Sequence, residues 1–183
     1  MSEPTAADLA VQHALRLKYG IEQHISTLIK QGAEAVYTLR APSGPTPMEE
    51  SQFRNLLNVA LETSSVDVIT NFIRYQIGRF PKVWGTEAKQ FGPTLIRDIE
   101  IGAVYKAAEA VKATLKDFET QWRAQLGDNN PGEALQDAYL LLTRLYLGYA
   151  RRTFTYCKKR EDAKDEHAWD NLFRSLKGGE SAA

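Results

Sequence analysis

Ala138 to Arg160 reads AYLLLTRLYLGYARRTFTYCKKR, with six cationic residues and no acid, in a chain whose 23 Lys and Arg balance 23 Asp and Glu. Read as a helix, it sets Tyr139, Leu142, Tyr146, Tyr149, Thr153 and Tyr156 on one side. Arg144, Gly148, Arg151, Thr155 and Lys158 fall on another, because steps of three and four return to one helical face. The spacing predicts a helix that packs into a core and carries a cationic row, rising about 10 Å per heptad.

Upstream, Asn130-Pro131-Gly132-Glu133 supplies the cap, proline and carboxylate that launch this helix, after Gly127 closes the one before. That earlier helix is expected to run unbroken from Pro93 to Leu126, with Ala103, Ala107, Val111, Thr114, Phe118 and Trp122 along its buried stripe. Residues 80–93 (FPKVWGTEAKQFGP) read as an ordered, partly irregular crossover. Before them, Thr46-Pro47-Met48-Glu49 predicts a capped helix start, followed by Phe53, Leu56, Leu57, Ala60 and Leu61 at core spacing. A hinge at Thr63–Ser65 leads to Ile69, Phe72, Ile73 and Gln76, and that helix stops near Arg79 because Phe80 precedes Pro81. Further back, APSGPTP (41–47) reads as a linker. Residues 5–31 form one amphipathic helix capped by Thr5, which Gly32 interrupts, with a short continuation over 33–40. Downstream, the acids of 161–166 read as a solvated helix end, and Trp169, Leu172, Phe173 and Leu176 as a last short helix. No strand alternation occurs, so the expectation is an all-α bundle of five to six helices. Its organisation is an N-terminal helical arm and Pro-rich linker (1–47), the bundle (48–177) and a disordered tail (178–183).

Composition narrows the function classes. No apolar run reaches the roughly 20 residues of a membrane span, and MSEPTAADLA has no secretory character, so a cytoplasmic protein is expected. Cys157 stands alone, which excludes an internal disulfide and reads best as a small buried residue. His13 and His24, placed on one helix, lie too far apart for a shared metal. Phosphate loops, nucleophile elbows and calcium-loop ligand alternation are all absent. The expectation is a protein with no catalytic residues, no metal and no cofactor.

Cations carry the binding signal. Arg54, Arg74 and Arg79 sit on the central hairpin, and Arg144, Arg151, Arg152, Lys158 and Lys159 on the organising helix. Arginines fixed on rigid helices suit phosphate contacts, which position a nucleic acid without reading its sequence.

Two segments resemble a known family. Glu50-Ser51-Gln52-Phe53-Arg54-Asn55-Leu56-Leu57-Asn58, with the hairpin ending Ile73-Arg74-Tyr75-Gln76-Ile77-Gly78-Arg79, is similar to the small helical subunit of type III (Csm-like) CRISPR effector complexes. The aromatic, basic helix around Tyr146–Tyr156 resembles that family's closing helix. Together the likeness covers about residues 48–80 and 135–160. It implies a non-catalytic bundle that stacks in copies along the backbone subunits and touches guide and target RNA. Arg54 and Arg79 match the motif arginines; the other cations come from the charge reading. Two alternatives stay open: a helical protein–protein adaptor docking through the aromatics of 80–91, and a cofactor-binding bundle using His24 or Cys157.

Overall fold

A computed structural model describes residues 5–40, 46–85, 90–126, 133–165 and 167–178. The described residues are all helical or connecting: α1 (Ala6–Glu22), α2 (Ile25–Tyr37), α3 (Glu50–Glu62), α4 (Val66–Arg79), α5 (Pro81–Trp84), α6 (Phe91–Glu100), α7 (Ala103–Leu126), α8 (Glu133–Asp162) and α9 (Ala168–Gly178). α5 is a single turn, so the expected five to six helices become eight. None among the described residues is long and apolar enough to cross a membrane.

The extra helices come from breaks that helical periodicity does not register. One separates α1 from α2 at Gln23 and His24, so His13 and His24 lie on different helices. The other lies in the stretch expected to run unbroken to Leu126. There the amides of Ile101 and Gly102 both turn back onto the Arg97 carbonyl, at 3.0 and 2.7 Å, and end α6. A Cβ on Gly102 would lie 2.7 Å from Asp98 Cα, so the reversal is closed to any larger residue.

Gly32, expected to interrupt a helix, lies inside α2 and has a different job. A Cβ there would sit 3.2 Å from the Ala150 amide nitrogen and 3.3 Å from the Tyr146 carbonyl oxygen. Without it, the α2 and α8 backbones come together, and Leu28, Ala35 and Val36 are buried. α1 and α2, expected as an arm, thus pack on α7 and α8.

α8 is the axis of the bundle, touching α2, α3, α7 and α9. Its buried side is Leu142, Tyr146, Leu147, Ala150, Phe154 and Cys157. This departs from the expected stripe in its second half, where Tyr149 and Thr153 are only half-buried and Tyr156 is exposed. On α7, Leu115 takes the buried place expected for Thr114, whose hydroxyl donates to its own helix at Ala110 instead. The crossover aromatics turn inward: Trp84 stacks near Phe91, Phe91 near Phe53 and Phe53 near Phe154, at centroid distances of 5.7, 5.7 and 5.5 Å. Only Phe80 of the three is exposed, which removes most of the surface an adaptor would use.

One buried polar contact crosses the core. Tyr146 Oη donates to Asp98 Oδ2 at 2.9 Å, and Arg97 reaches Asp98 Oδ1 at 3.2 Å. Burial pushes the Asp98 carboxyl above its ordinary range, against the pull of Tyr146 and Arg97. Nearby, Tyr139 Oη donates to the Ile99 carbonyl at 2.7 Å, and burial pushes that phenol up to about 12.

A second polar tie holds the periphery. Glu161, expected as part of a solvated acidic end, accepts from the Thr46 amide and from Trp169 Nε1 (2.8 Å). Thr46 and Met48 are buried, and α3 starts later than expected, capped by a reciprocal Glu49–Gln52 pair. Tyr37 stacks on Phe173 at 4.1 Å, and Arg40 pairs with Asp170 to seat α9. Residues 41–45, the Gly127 and Asn130-Pro131 signals, the Trp122 side chain and the tail beyond 178 lie outside the described residues.

Two outcomes follow from these contacts. Gly32→Val should lower the urea-unfolding free energy by about 1–3 kcal/mol, the usual range for overpacking; an unchanged midpoint would show that the helices are not in close approach. Asp98 binds its proton more tightly folded than unfolded. That adds stability below the ordinary carboxylate value of 3.8 and is lost as pH rises through the raised folded value. Asp98→Asn should therefore gain on the wild type as pH rises above the ordinary carboxylate value of 3.8 in urea titrations, and a pH-independent difference would refute the buried ionisation.

Candidate nucleic-acid interface

α3 and α8 run antiparallel. Arg144 meets the end of α3 at Ala60, Leu61 and Thr63, while Phe154, ten residues on, meets Phe53 near its start. Between them lies a groove of about 250 Å³, floored by Leu57, Ala60 and Leu61 and walled by Arg144, Gly148, Arg151 and Arg152. Among the described residues no carboxylate lines it. The groove is open at Gly148, where a Cβ would meet nothing within 4 Å. Arg54 lies one helical turn before Leu57 on the same side of α3 but does not line the groove. The expected core position of Leu61 is a correction. It is 66% exposed, an apolar residue at the groove rather than in the interior.

The eight expected cations meet different fates, decided by what each can reach. Arg144 is a helix cap: Nε donates to the Ala60 carbonyl at 2.8 Å, and Nη2 to Leu61 and Thr63 at 3.3 and 2.9 Å. Those are the last carbonyls of α3, which have no intrahelical donor. Arg74 grips both oxygens of Glu100 at 2.7 and 2.8 Å and donates to Thr70. Arg79 donates to Tyr75 Oη at 2.8 Å and lies over the Phe80 ring at 5.0 Å, a cation held by aromatics and away from the groove. Arg152 lies 5.3 Å over Tyr149 but has no acid partner among the described residues. Arg54, Arg151, Lys158 and Lys159 have no ion pair among the described residues, whereas Arg160, just beyond, pairs with Asp165 at 2.8 Å. The structure therefore brings Arg151 and Arg152 together beside the Arg144 cap, with Lys158 and Lys159 further along α8, while Arg54 on α3, Arg74 and Arg79 do not line this groove.

The chemistry of the site is limited to charge and hydrogen-bond donation. Guanidinium groups donate and never accept, so the groove suits an anion with several acceptor oxygens. Among the described residues no cluster of His, Cys, Asp and Glu is placed to hold a metal. Cys157 is fully buried, and burial pushes its thiol up to about 12, so it is no nucleophile. The groove floor was missed by sequence reasoning because Leu57, Ala60 and Leu61 keep core spacing. The excess width of that apolar stripe was the available signal, since a face with leucines at both 57 and 61 extends beyond one packing partner.

Compared with known protein families, curated proteins and solved structures, the chain matches none.

Because Arg144 caps α3, Arg144→Ala should cost about 1–3 kcal/mol of folding stability, the scale of removing charge-assisted hydrogen bonds. Chemical denaturation checks this, with Arg152→Ala as the exposed comparison, expected within about 0.5 kcal/mol of wild type. Equal effects at the two positions would remove the distinction between cap and free cation.

Proposed function

We propose that this chain is a non-catalytic RNA-contacting subunit of an RNA-guided assembly, in the position of the small helical subunit of type III CRISPR effector complexes. The observation that carries the RNA contact is the placement of Arg151 and Arg152 beside the Arg144 cap, in a groove that no carboxylate lines among the described residues, on a helix fixed by core packing. Phosphate contact by pre-placed arginines needs little ordering of side chains on binding and supplies affinity without sequence choice.

The groove supports this reading better than it supports a small-ligand site. Its volume of about 250 Å³ is below the range of roughly 300–1,000 Å³ typical of small-molecule pockets. A polymer laid along it would set phosphates against the arginines and ribose or base faces against Leu57 and Leu61. Lys158 and Lys159 extend the same field toward the end of α8. The zero net charge of the chain leaves this local patch as the source of affinity. Within an assembly, the remaining surfaces would be taken by the backbone subunits and by copies of the same chain, as the resemblance implies.

RNA binding should fall steeply with salt. Arg151→Glu and Arg54→Glu should each weaken it and reduce the slope of log K against log salt by about 0.7 for every phosphate of a single strand that is no longer neutralised. Arg74→Gln, whose guanidinium already serves Glu100, should leave the slope unchanged. Filter binding or fluorescence anisotropy with a single-stranded RNA, on the chain alone and within its purified assembly, reads both. Unaltered slopes in both glutamate variants would sink the proposal.

A further inference from the structure

The two helix breaks that periodicity did not register meet at one place. His24, before α2, and Gly102, before α7, border a recess of about 560 Å³ whose polar lining is Thr27, Gln31, Arg97, Asp98 and Lys106. It lies behind the arginine groove. Tyr146, which reaches Asp98 at the back of the recess, is about 200° around α8 from Arg144 and from Gly148, at 100° per residue. The volume falls inside the range of roughly 300–1,000 Å³ that small ligands occupy.

Charge in the recess is arranged for an anion. Asp98 is the one acid on its wall among the described residues and is 3% exposed, with Tyr146 on Oδ2 and Arg97 on Oδ1. Arg97 uses Nε and Nη2 for that contact, leaving Nη1 unengaged among the described residues, and its side chain is 59% exposed. Lys106 is exposed and has no ion pair among the described residues. The acid faces inward, so the rim is cationic. His24 heads α2 without a side-chain bond to the first-turn amides, and α7 begins at the recess with Ala103. The first amides of a helix have no intrahelical acceptor, so those at the start of α7 can donate to an anion held beside Arg97 and Lys106. Gln31 gives its amide nitrogen to Glu34 at 2.9 Å, which leaves its carbonyl oxygen and the exposed Thr27 hydroxyl for the uncharged part of a ligand.

We propose that this recess binds an organic phosphate of nucleotide size, with the phosphate between Arg97, Lys106 and the start of α7, and the polar body against Thr27 and Gln31. The site shares no residue with the arginine groove and stands or falls independently of RNA contact.

The test is isothermal titration of the full chain with adenosine 5′-monophosphate at low salt, alongside adenosine and inorganic phosphate. Saturable one-to-one binding of the nucleotide is expected, weakened by at least about tenfold (1.4 kcal/mol) in Lys106→Glu. Thr27→Trp, which fills the recess from an exposed position, should abolish it, and Arg151→Glu should leave it intact. Wild-type urea midpoints in Lys106→Glu and Thr27→Trp establish that both fold. No saturable binding at millimolar nucleotide overturns the proposal, as does unchanged affinity in Lys106→Glu. Inorganic phosphate binding as tightly as the nucleotide would reduce the recess to a general anion patch, and adenosine doing so would remove the phosphate from recognition; either result also overturns it.

Discussion

The approach of α2 to α8 at Gly32 is the constraint on which the arrangement depends. Two helices whose backbones nearly touch fix each other's rotation, since the side chains around the contact have one way to interlock. With α8 so rotated, Tyr146 points at Asp98, Phe154 at Phe53, and Arg144 and Arg151 outward on the far side. The cationic groove is therefore a by-product of core packing. A small rotation of α8 would carry Arg151 toward the interior, where an unpaired guanidinium is strongly disfavoured.

That geometry also sorts the arginines. A cation on a helix surface takes the nearest acceptor, and α3 ends opposite Arg144 with three carbonyls in need of donors. About two turns further along, α3 presents its mid-helix flank, whose carbonyls are occupied by its own amides. Arg151 and Arg152 find no such acceptor there. The difference between a structural cap and a free charge is thus a matter of register against the neighbouring helix, with the same residue type in both roles.

Much of the helical content was legible from the sequence because periodicity, caps and prolines agree. The Thr5 cap, the stop at Arg79 before Phe80-Pro81 and the last amphipathic helix all stand as read. What was not legible are features decided by partners distant in sequence. Gly32 looks the same whether it ends a helix or admits a backbone, and only Ala150 and Tyr146 decide. At Thr46 the cap signal gives way to a bond with Glu161, so the helix starts later. The candidate site was legible in its residue types and in the acid-free context of α8. Its membership was not, because Arg74 and Arg79 find partners and Leu61 leaves the core, facts that belong to the packed structure.

Glu161 holds the lead-in to α3 and the docking of α9 through a single carboxylate, across 115 residues of chain to Thr46. During synthesis the chain emerges from its N-terminus, so the α3–α4 hairpin is complete long before its anchor exists. Contacts of such long sequence separation close late and slow the search. A chain cut short before α9 also lacks Trp169 and Phe173, and with them the cover over Tyr37. The lead-in to α3 is thus anchored only once α8 has been made, and the same carboxylate then receives α9.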